Sequence, residues 1–169
     1  MIIRVSEIPD EGLVVANPGA FVAPFTDRSW RLDVIRLRVE RDGDDVLVAG
    51  ELAANAPLVC SRCLEEFRVD VRPSVDVRYV RRPPVGDAVE LGADDLDLDF
   101  YENDQLNLGA LVETETTLAL PMKPLCRSDC RGLCPVCGGN RNVTACACPT
   151  RSPDQRLAVL KDLGERFNR

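Results

Sequence analysis

The chain has 169 residues, 45% hydrophobic and 29% charged, which suits one globular body, or a body with a small appendage, rather than a disordered tail. It contains no histidine, and that excludes Ser-His-Asp and Cys-His nucleophile systems, HExxH metalloproteases and histidine general bases together. Its formal charge of −7 opposes sequence-independent attraction to phosphate backbones, and neither GxxxxGK(S/T) nor GxGxxG is there to bind a nucleotide.

The opening residues, MIIRVSEIPDEG, hold a short apolar run from Ile2 to Val5, read as an edge strand, followed by a loop punctuated by proline and glycine. They lack the apolar core and small-residue cleavage site of an export signal, and no apolar run reaches the roughly eighteen residues of a membrane span. The expectation is a cytoplasmic protein with no membrane association.

From Trp30 the alternation becomes regular. Trp30, Leu32 and Val34 share one parity; Ile35, Leu37 and Val39 take the other, which predicts a β-bulge near Val34. An Asp-Gly turn in RDGDD at 41–45 leads into a second strand from Val46 to Ala54. Cys60 and Cys63 then fall between an apolar run ending at Val59 and the alternating strand Phe67, Val69, Val71, so this CxxC occupies the turn of a hairpin. Val75, Val77 and Tyr79 continue the sheet until RRPP at 81–84 ends it.

An acidic stretch follows. Asp87, Glu90, Asp94, Asp95, Asp97, Asp99, Glu102 and Asp104 occur with no basic residue among them, and LDLDF at 96–100 reads as an edge strand. The period then changes. Leu108, Leu111, Val112, Glu115 and Ala119 fall at helical spacing, Asn107 is the expected N-cap and Pro121 closes the run. The last segment predicts another helix, with Ser152 capping, Pro153 at the first position and Gln155 completing a capping box.

Between the two helices lies CRSDCRGLCPVCGG, Cys126 to Gly139, with Cys146 and Cys148 beyond it. Two thiolates in a CxxC turn face one ion while the turn aims backbone N–H groups at the sulfurs, and zinc takes four such ligands at about 2.3 Å. Gly138 after Cys134-Pro135-Val136-Cys137 suits the positive φ that this turn needs. Eight cysteines suffice for two structural zinc sites, Cys134, Cys137, Cys146 and Cys148 forming one and Cys60, Cys63, Cys126 and Cys130 the other. One zinc on the two CxxC turns, Cys60/Cys63 with Cys134/Cys137, is an equally simple partition. The Cys-x-Cys pair is strained on a single ion, which leaves one of Cys146 and Cys148 open to being spare. Each four-thiolate zinc site adds a formal −2, so two would take the chain to about −11.

The rival chemistries are iron and thiol redox. Cys130-x3-Cys134-x2-Cys137 matches a four-iron cluster spacing, but few residues follow Cys137 and no α/β barrel precedes it. A reactive CxxC normally opens a helix, whereas the residues after Cys63 keep strand rhythm. Disulfides are disfavoured in a reducing compartment. Lys123, Arg127, Arg131 and Arg141 around the cysteines are candidate phosphate contacts. Asp94, Asp95, Asp97, Asp99, Glu102 and Asp104 are a candidate surface for a basic protein.

The expected fold class is α+β: an antiparallel β-rich body, open to barrel-like closure, with a helix, a C-terminal zinc-knuckle module and a terminal helix. Residues 1–120 would form the body with its closing helix. Residues 121–169 would form the cysteine-rich module and final helix, packed on the body as one domain.

The order of motifs resembles the YceD family, the large ribosomal RNA subunit accumulation proteins. LVCSRCLEEF at 58–67, LNLGALVETETTLALPMKPLC at 106–126, DCRGLCPVCGGNRN at 129–142, CAC at 146–148 and RLAVLKDL at 156–163 carry the likeness. GGNRN departs from the commoner GANLN of relatives. The resemblance implies a non-enzymatic factor in accumulation or processing of large-subunit ribosomal RNA. Its partners would be ribosomal or RNA-processing proteins or precursor ribosomal RNA, with no small-molecule substrate. Members without the full cysteine set imply that the metal is scaffold. A zinc-stabilised protein–protein adaptor outside ribosome assembly is the main alternative.

Overall fold

A computed structural model of the chain describes residues 1–82 and 98–149. The helix expected after Ser152 and the acids Asp94, Asp95 and Asp97 lie outside these residues. The chain divides into two compact units, one of Met1–Leu58 with Glu66–Pro124, the other of Val59–Glu65 with Leu125–Arg169. The tip of one hairpin therefore belongs with the cysteine-rich segment.

Among the described residues, the strands and the α-helix belong to the first unit. These are β1 (Ile2–Arg4), β2 (Leu13–Val15), β3 (Arg31–Asp42), β4 (Asp45–Val59, running on by one residue), β5 (Glu66–Val71), β6 (Ser74–Arg81), β7 (Leu98–Tyr101), β8 (Gln105–Asn107) and α1 (Leu108–Leu118). The main sheet runs β2-β3-β4-β6-β7, with β5 also paired to β4, and β1 pairs with β8 in a two-stranded sheet. The period-2 order works as physics demands: Ile35, Leu37 and Val39 of β3 and Val46, Val48 and Leu52 of β4 are buried while Arg36, Arg38 and Glu51 face water. The parity change near Val34 is a register shift between Leu32 and Val34 against β4.

The sheet is mixed rather than wholly antiparallel. β7 lies parallel to β6, Tyr79 opposite Asp99 and Arg81 opposite Tyr101. A parallel partner requires a crossover of about a dozen residues or more, which the stretch 82–97 supplies in length. Among the described residues the end strands β2 and β7 are not paired with each other, and no barrel closes.

The N-terminal segment contributes more than the expected edge strand and loop. Val5, Ile8, Val15, Phe21 and Phe25 are all buried in the core, and the Phe25 and Trp30 rings meet at 5.4 Å. β2 pairs with β3, Val15 opposite Leu37. α1 starts where expected, with the Asn107 carboxamide oxygen accepting from the N–H groups of Gly109 and Ala110. Leu108, Leu111, Val112 and Thr116 form its buried face. Between β7 and β8, Glu102 bridges to Gln105 around Asn103 and Asp104, both with positive φ (52° and 60°), a turn whose twist matches that of the flanking strands. The Asp104 carboxylate then accepts from both the N–H (2.9 Å) and the hydroxyl (2.5 Å) of Ser6.

Candidate metal centres

The second unit is built on two CxxC turns with one hydrogen-bond plan. In the first, the Cys60 N–H donates to the Glu65 carbonyl (2.9 Å) and the Leu64 N–H to the Cys60 carbonyl (3.0 Å). In the second, the Cys134 N–H donates to the Gly139 carbonyl (2.8 Å) and the Gly138 N–H to the Cys134 carbonyl (2.9 Å). Both turns need a left-handed residue after the second cysteine: Gly138 at φ 71° and, in the other, Leu64 at φ 61°. A leucine there is strained by about 1 kcal/mol, and its side chain is 62% exposed, so it recovers little by burial. Leu64→Gly should therefore hold or raise the urea midpoint of this unit; a fall of the midpoint would show that the leucine side chain packs.

The turns and the remaining cysteines gather into two tetrads. Cys60, Cys63, Cys126 and Cys130 form the inner one, Cys134, Cys137, Cys146 and Cys148 the outer, and within each all four sulfurs lie within 4.8 Å of one another. The two CxxC turns thus fall in separate tetrads, and both members of the Cys-x-Cys pair join the outer one. Sulfurs at about 2.3 Å from a tetrahedral zinc would stand about 3.8 Å apart. Cys60 and Cys130 are 3.8 Å apart and Cys63 and Cys126 3.7 Å, two opposite edges of such a tetrahedron. A disulfide would need about 2.05 Å, and all eight thiols are free.

Electrostatics point the same way. Burial pushes the Cys60 thiol up, but N–H groups of Cys126, Cys63 and Arg62 aimed at its sulfur outweigh this and bring it down to about 6. Cys134 is likewise lowered to about 6 by the N–H groups of Cys137 and Val136. Burial and the sulfurs of Cys63, Cys60 and Cys130 push Cys126 up to about 12. The Cys137 sulfur, with burial, pushes Cys148 up to about 12. Each tetrad contains a readily formed thiolate next to a thiol that resists ionising, because burial and the crowding of neighbouring sulfurs oppose a second charge. A divalent cation at the centre removes that conflict.

Two further residues hold the inner tetrad in place. Asn142 uses every atom of its carboxamide. Its nitrogen donates to the Cys130 sulfur (3.3 Å) and to the Asn140 side-chain oxygen (2.9 Å), and its oxygen accepts from the Arg131 N–H (2.8 Å) and the Arg127 guanidinium (2.7 Å). With the Gly132 N–H it lowers Cys130 against the upward push of burial. Gly132, at φ 68°, runs so close to the first turn that a Cβ would stand 2.9 Å from the Arg62 carbonyl oxygen. That carbonyl accepts from the Leu133 N–H (3.0 Å). Asn142 was invisible among the polar residues of NRN, since only its placement against Cys130 singles it out. Asn142→Ala should weaken metal binding at the inner tetrad by about 10–100-fold, read by competition with a chromogenic chelator; unchanged affinity would remove Asn142 from this role.

The candidate contact residues are dispersed. Lys123 belongs to the first unit and Arg127, Arg131 and Arg141 to the second, all with exposed side chains. Arg127 is held by Asn142 and lies 3.5 Å from Asp129. Of the acids, Asp104 secures Ser6 and Glu102 pairs with Arg82 at 2.7 Å. Asp99 and Glu102 line a cleft of about 490 Å³ in the first unit together with Tyr79, Phe100 and Glu115.

The model of the large ribosomal RNA subunit accumulation protein YceD matches residues 48–164. The chain belongs to the YceD family. Members of this family are accessory factors without catalytic activity. The match takes in all eight cysteines, together with β5 to β8 and α1. Two relatives, the uncharacterized proteins Mb2951c of Mycobacterium bovis and Rv2926c of Mycobacterium tuberculosis, are each 31% identical over 112 residues, 66% of this chain and 52% of their own length. The uncharacterized protein ML1660 of Mycobacterium leprae is 31% identical over 102 residues, 60% of this chain and 46% of its own. The chain spans about half the length of the curated relatives it matches. No solved structure matches it. Among the described residues no helix is long and apolar enough to cross a membrane.

Proposed function

We propose that this YceD chain is a cytoplasmic, non-enzymatic factor supporting the accumulation and processing of large-subunit ribosomal RNA, its cysteine-rich unit folded around two zinc ions. The family match over residues 48–164 carries the functional half of this reading. The tetrahedral sulfur spacing supports the zinc half. Four sulfurs close each site, leaving no position for water or substrate, so zinc here would be structural. Cys60 and Cys63 would be joined through it to Cys126 and Cys130 across more than sixty residues of chain, closing a loop whose entropy metal binding offsets.

A basic protein suits the chain better as direct partner than RNA does. The net charge is −7 before any zinc-bound thiolate is counted. The cleft beside β7 and α1 is lined by Asp99, Glu102 and Glu115 together with Tyr79 and Phe100, and among the described residues no lysine or arginine lines it. The pairing of Arg82 with Glu102 at the edge of this surface, its guanidinium 5.8 Å from the centre of the Phe100 ring, supports recognition of a basic partner here. Glu115 has no ion pair among the described residues.

Affinity capture from native lysate, with captured particles probed for large-subunit precursor RNA and ribosomal proteins, tests the function. Large-subunit precursors should be enriched, and capture of nothing ribosomal would overturn it. Purified ribosomal RNA fragments titrated against salt separate the partners: tight binding with a steep salt slope would favour RNA over a basic protein.

A further inference from the structure

The two tetrads are built to different depths. In the inner one Cys60, Cys63 and Cys130 are at most 3% exposed and Cys126 is half-buried. In the outer one only Cys134 is buried; Cys148 is half-buried, and Cys137 and Cys146 are exposed. The wiring differs too. The inner tetrad draws sulfurs 63 and 70 residues apart into contact, and its Cys60 and Cys130 sulfurs are covered by hydrogen bonds from Cys126, Cys63, Arg62, Gly132 and Asn142. The outer tetrad is confined to residues 134–148, so emptying it opens only a short loop. An oxidant must touch a sulfur to react with it, and a sulfur shielded by protein and N–H donors is slow to react.

We infer that the outer tetrad is an oxidation-releasable metal site in which Cys137 and Cys146 are the thiolates modified first, while the inner tetrad keeps its ion. The inference rests on both tetrads holding zinc. The co-reactant is hydrogen peroxide. The thiolate of one cysteine attacks the O–O bond, forming a sulfenic acid and expelling hydroxide. The second thiolate attacks that sulfur, forming the S–S bond and expelling a second hydroxide. Two protons convert both hydroxides to water. Each sulfur loses one electron and the peroxide gains two. With two of its four donors gone, the outer tetrad releases its ion, and a dithiol reductant with added zinc restores it. The inner ion stays, so residues 59–65 remain tied to residues 125–130 throughout the cycle.

The test uses the full zinc-loaded chain and hydrogen peroxide, with released metal followed by a chromogenic chelator and disulfides mapped by peptide mass spectrometry. One of two zinc ions should leave at least about tenfold faster than the other, with Cys137–Cys146 as the first disulfide. In Cys137→Ser, which loads one zinc, the fast phase should vanish and the slow phase persist. Release of both ions at one rate, or a first disulfide containing Cys60, Cys63, Cys126 or Cys130, would overturn the inference while leaving the zinc reading intact. A chain that purifies without zinc and takes none up would remove both.

Discussion

Cys60→Ser should lower the zinc content from two ions per chain to one and unravel the structure of residues 125–133, where the corresponding Cys137→Ser should lower the count and leave that structure standing. Cys60 is fully buried, and its sulfur collects three backbone N–H groups in addition to its place in the inner tetrad. A serine oxygen is a poor zinc ligand at neutral pH and leaves Cys63, Cys126 and Cys130 with an incomplete shell. Structural zinc contributes about 10–16 kcal/mol in small metal-dependent domains, against a whole-domain stability of about 5–15 kcal/mol. The inner half of a unit with few regular elements among its described residues cannot lose that and stay folded. Hydrogen exchange supplies the measurement: protection of the Cys130 and Leu133 amides, both hydrogen-bonded in the intact unit, should disappear in Cys60→Ser, while the Cys134 amide, bonded within the outer turn, stays protected. Retained protection at Cys130 and Leu133 with two zinc ions bound would contradict the inner tetrad as a metal site.

Gly50→Ala should destabilise the first unit by more than about 3 kcal/mol, a loss at the severe end for one substitution. Gly50 lies in the middle of β4 with φ at 154°, opposite Leu37 on β3 and Val75 on β6. A Cβ built there would stand 1.9 Å from the Arg36 carbonyl oxygen and 3.0 Å from the Leu37 Cα. Because β4 is paired on both sides, it cannot shift to relieve the collision without breaking a ladder. Urea unfolding followed by far-ultraviolet circular dichroism would show the change, and a loss under about 0.5 kcal/mol would mean that the β3–β4 approach is looser than described.

Local pattern made much of this legible from the residues. The parity change at Val34 located the bulge, Asn107 located the start of α1, and Cys60 and Cys63 fell in a hairpin turn as the flanking alternation required. These features depend on neighbours in sequence, so composition and spacing encode them. The parallel pairing of β7 with β6 joins two strands that are not adjacent in sequence, which no local pattern announces. Phe21 and Phe25 sit in a segment without strand or helix rhythm and are buried only because other elements enclose them. Nothing in the residues beside Gly50 marks it, because the Arg36 carbonyl that excludes a side chain there belongs to the neighbouring strand. The gathering of cysteines into tetrads was one drawing among two in the sequence. What separates them is the position of Cys126 and Cys130 beside the first CxxC turn, a contact across 63 to 70 residues.

Native mass spectrometry of the purified chain, before and after an excess of chelator and with the thiols alkylated in each state, tests the two-tetrad account most directly. Two zinc ions per chain, with all eight cysteines protected before chelation and reactive afterwards, is the result expected. A chain that carries no metal and is alkylated at Cys60, Cys63, Cys126 and Cys130 from the outset would contradict it.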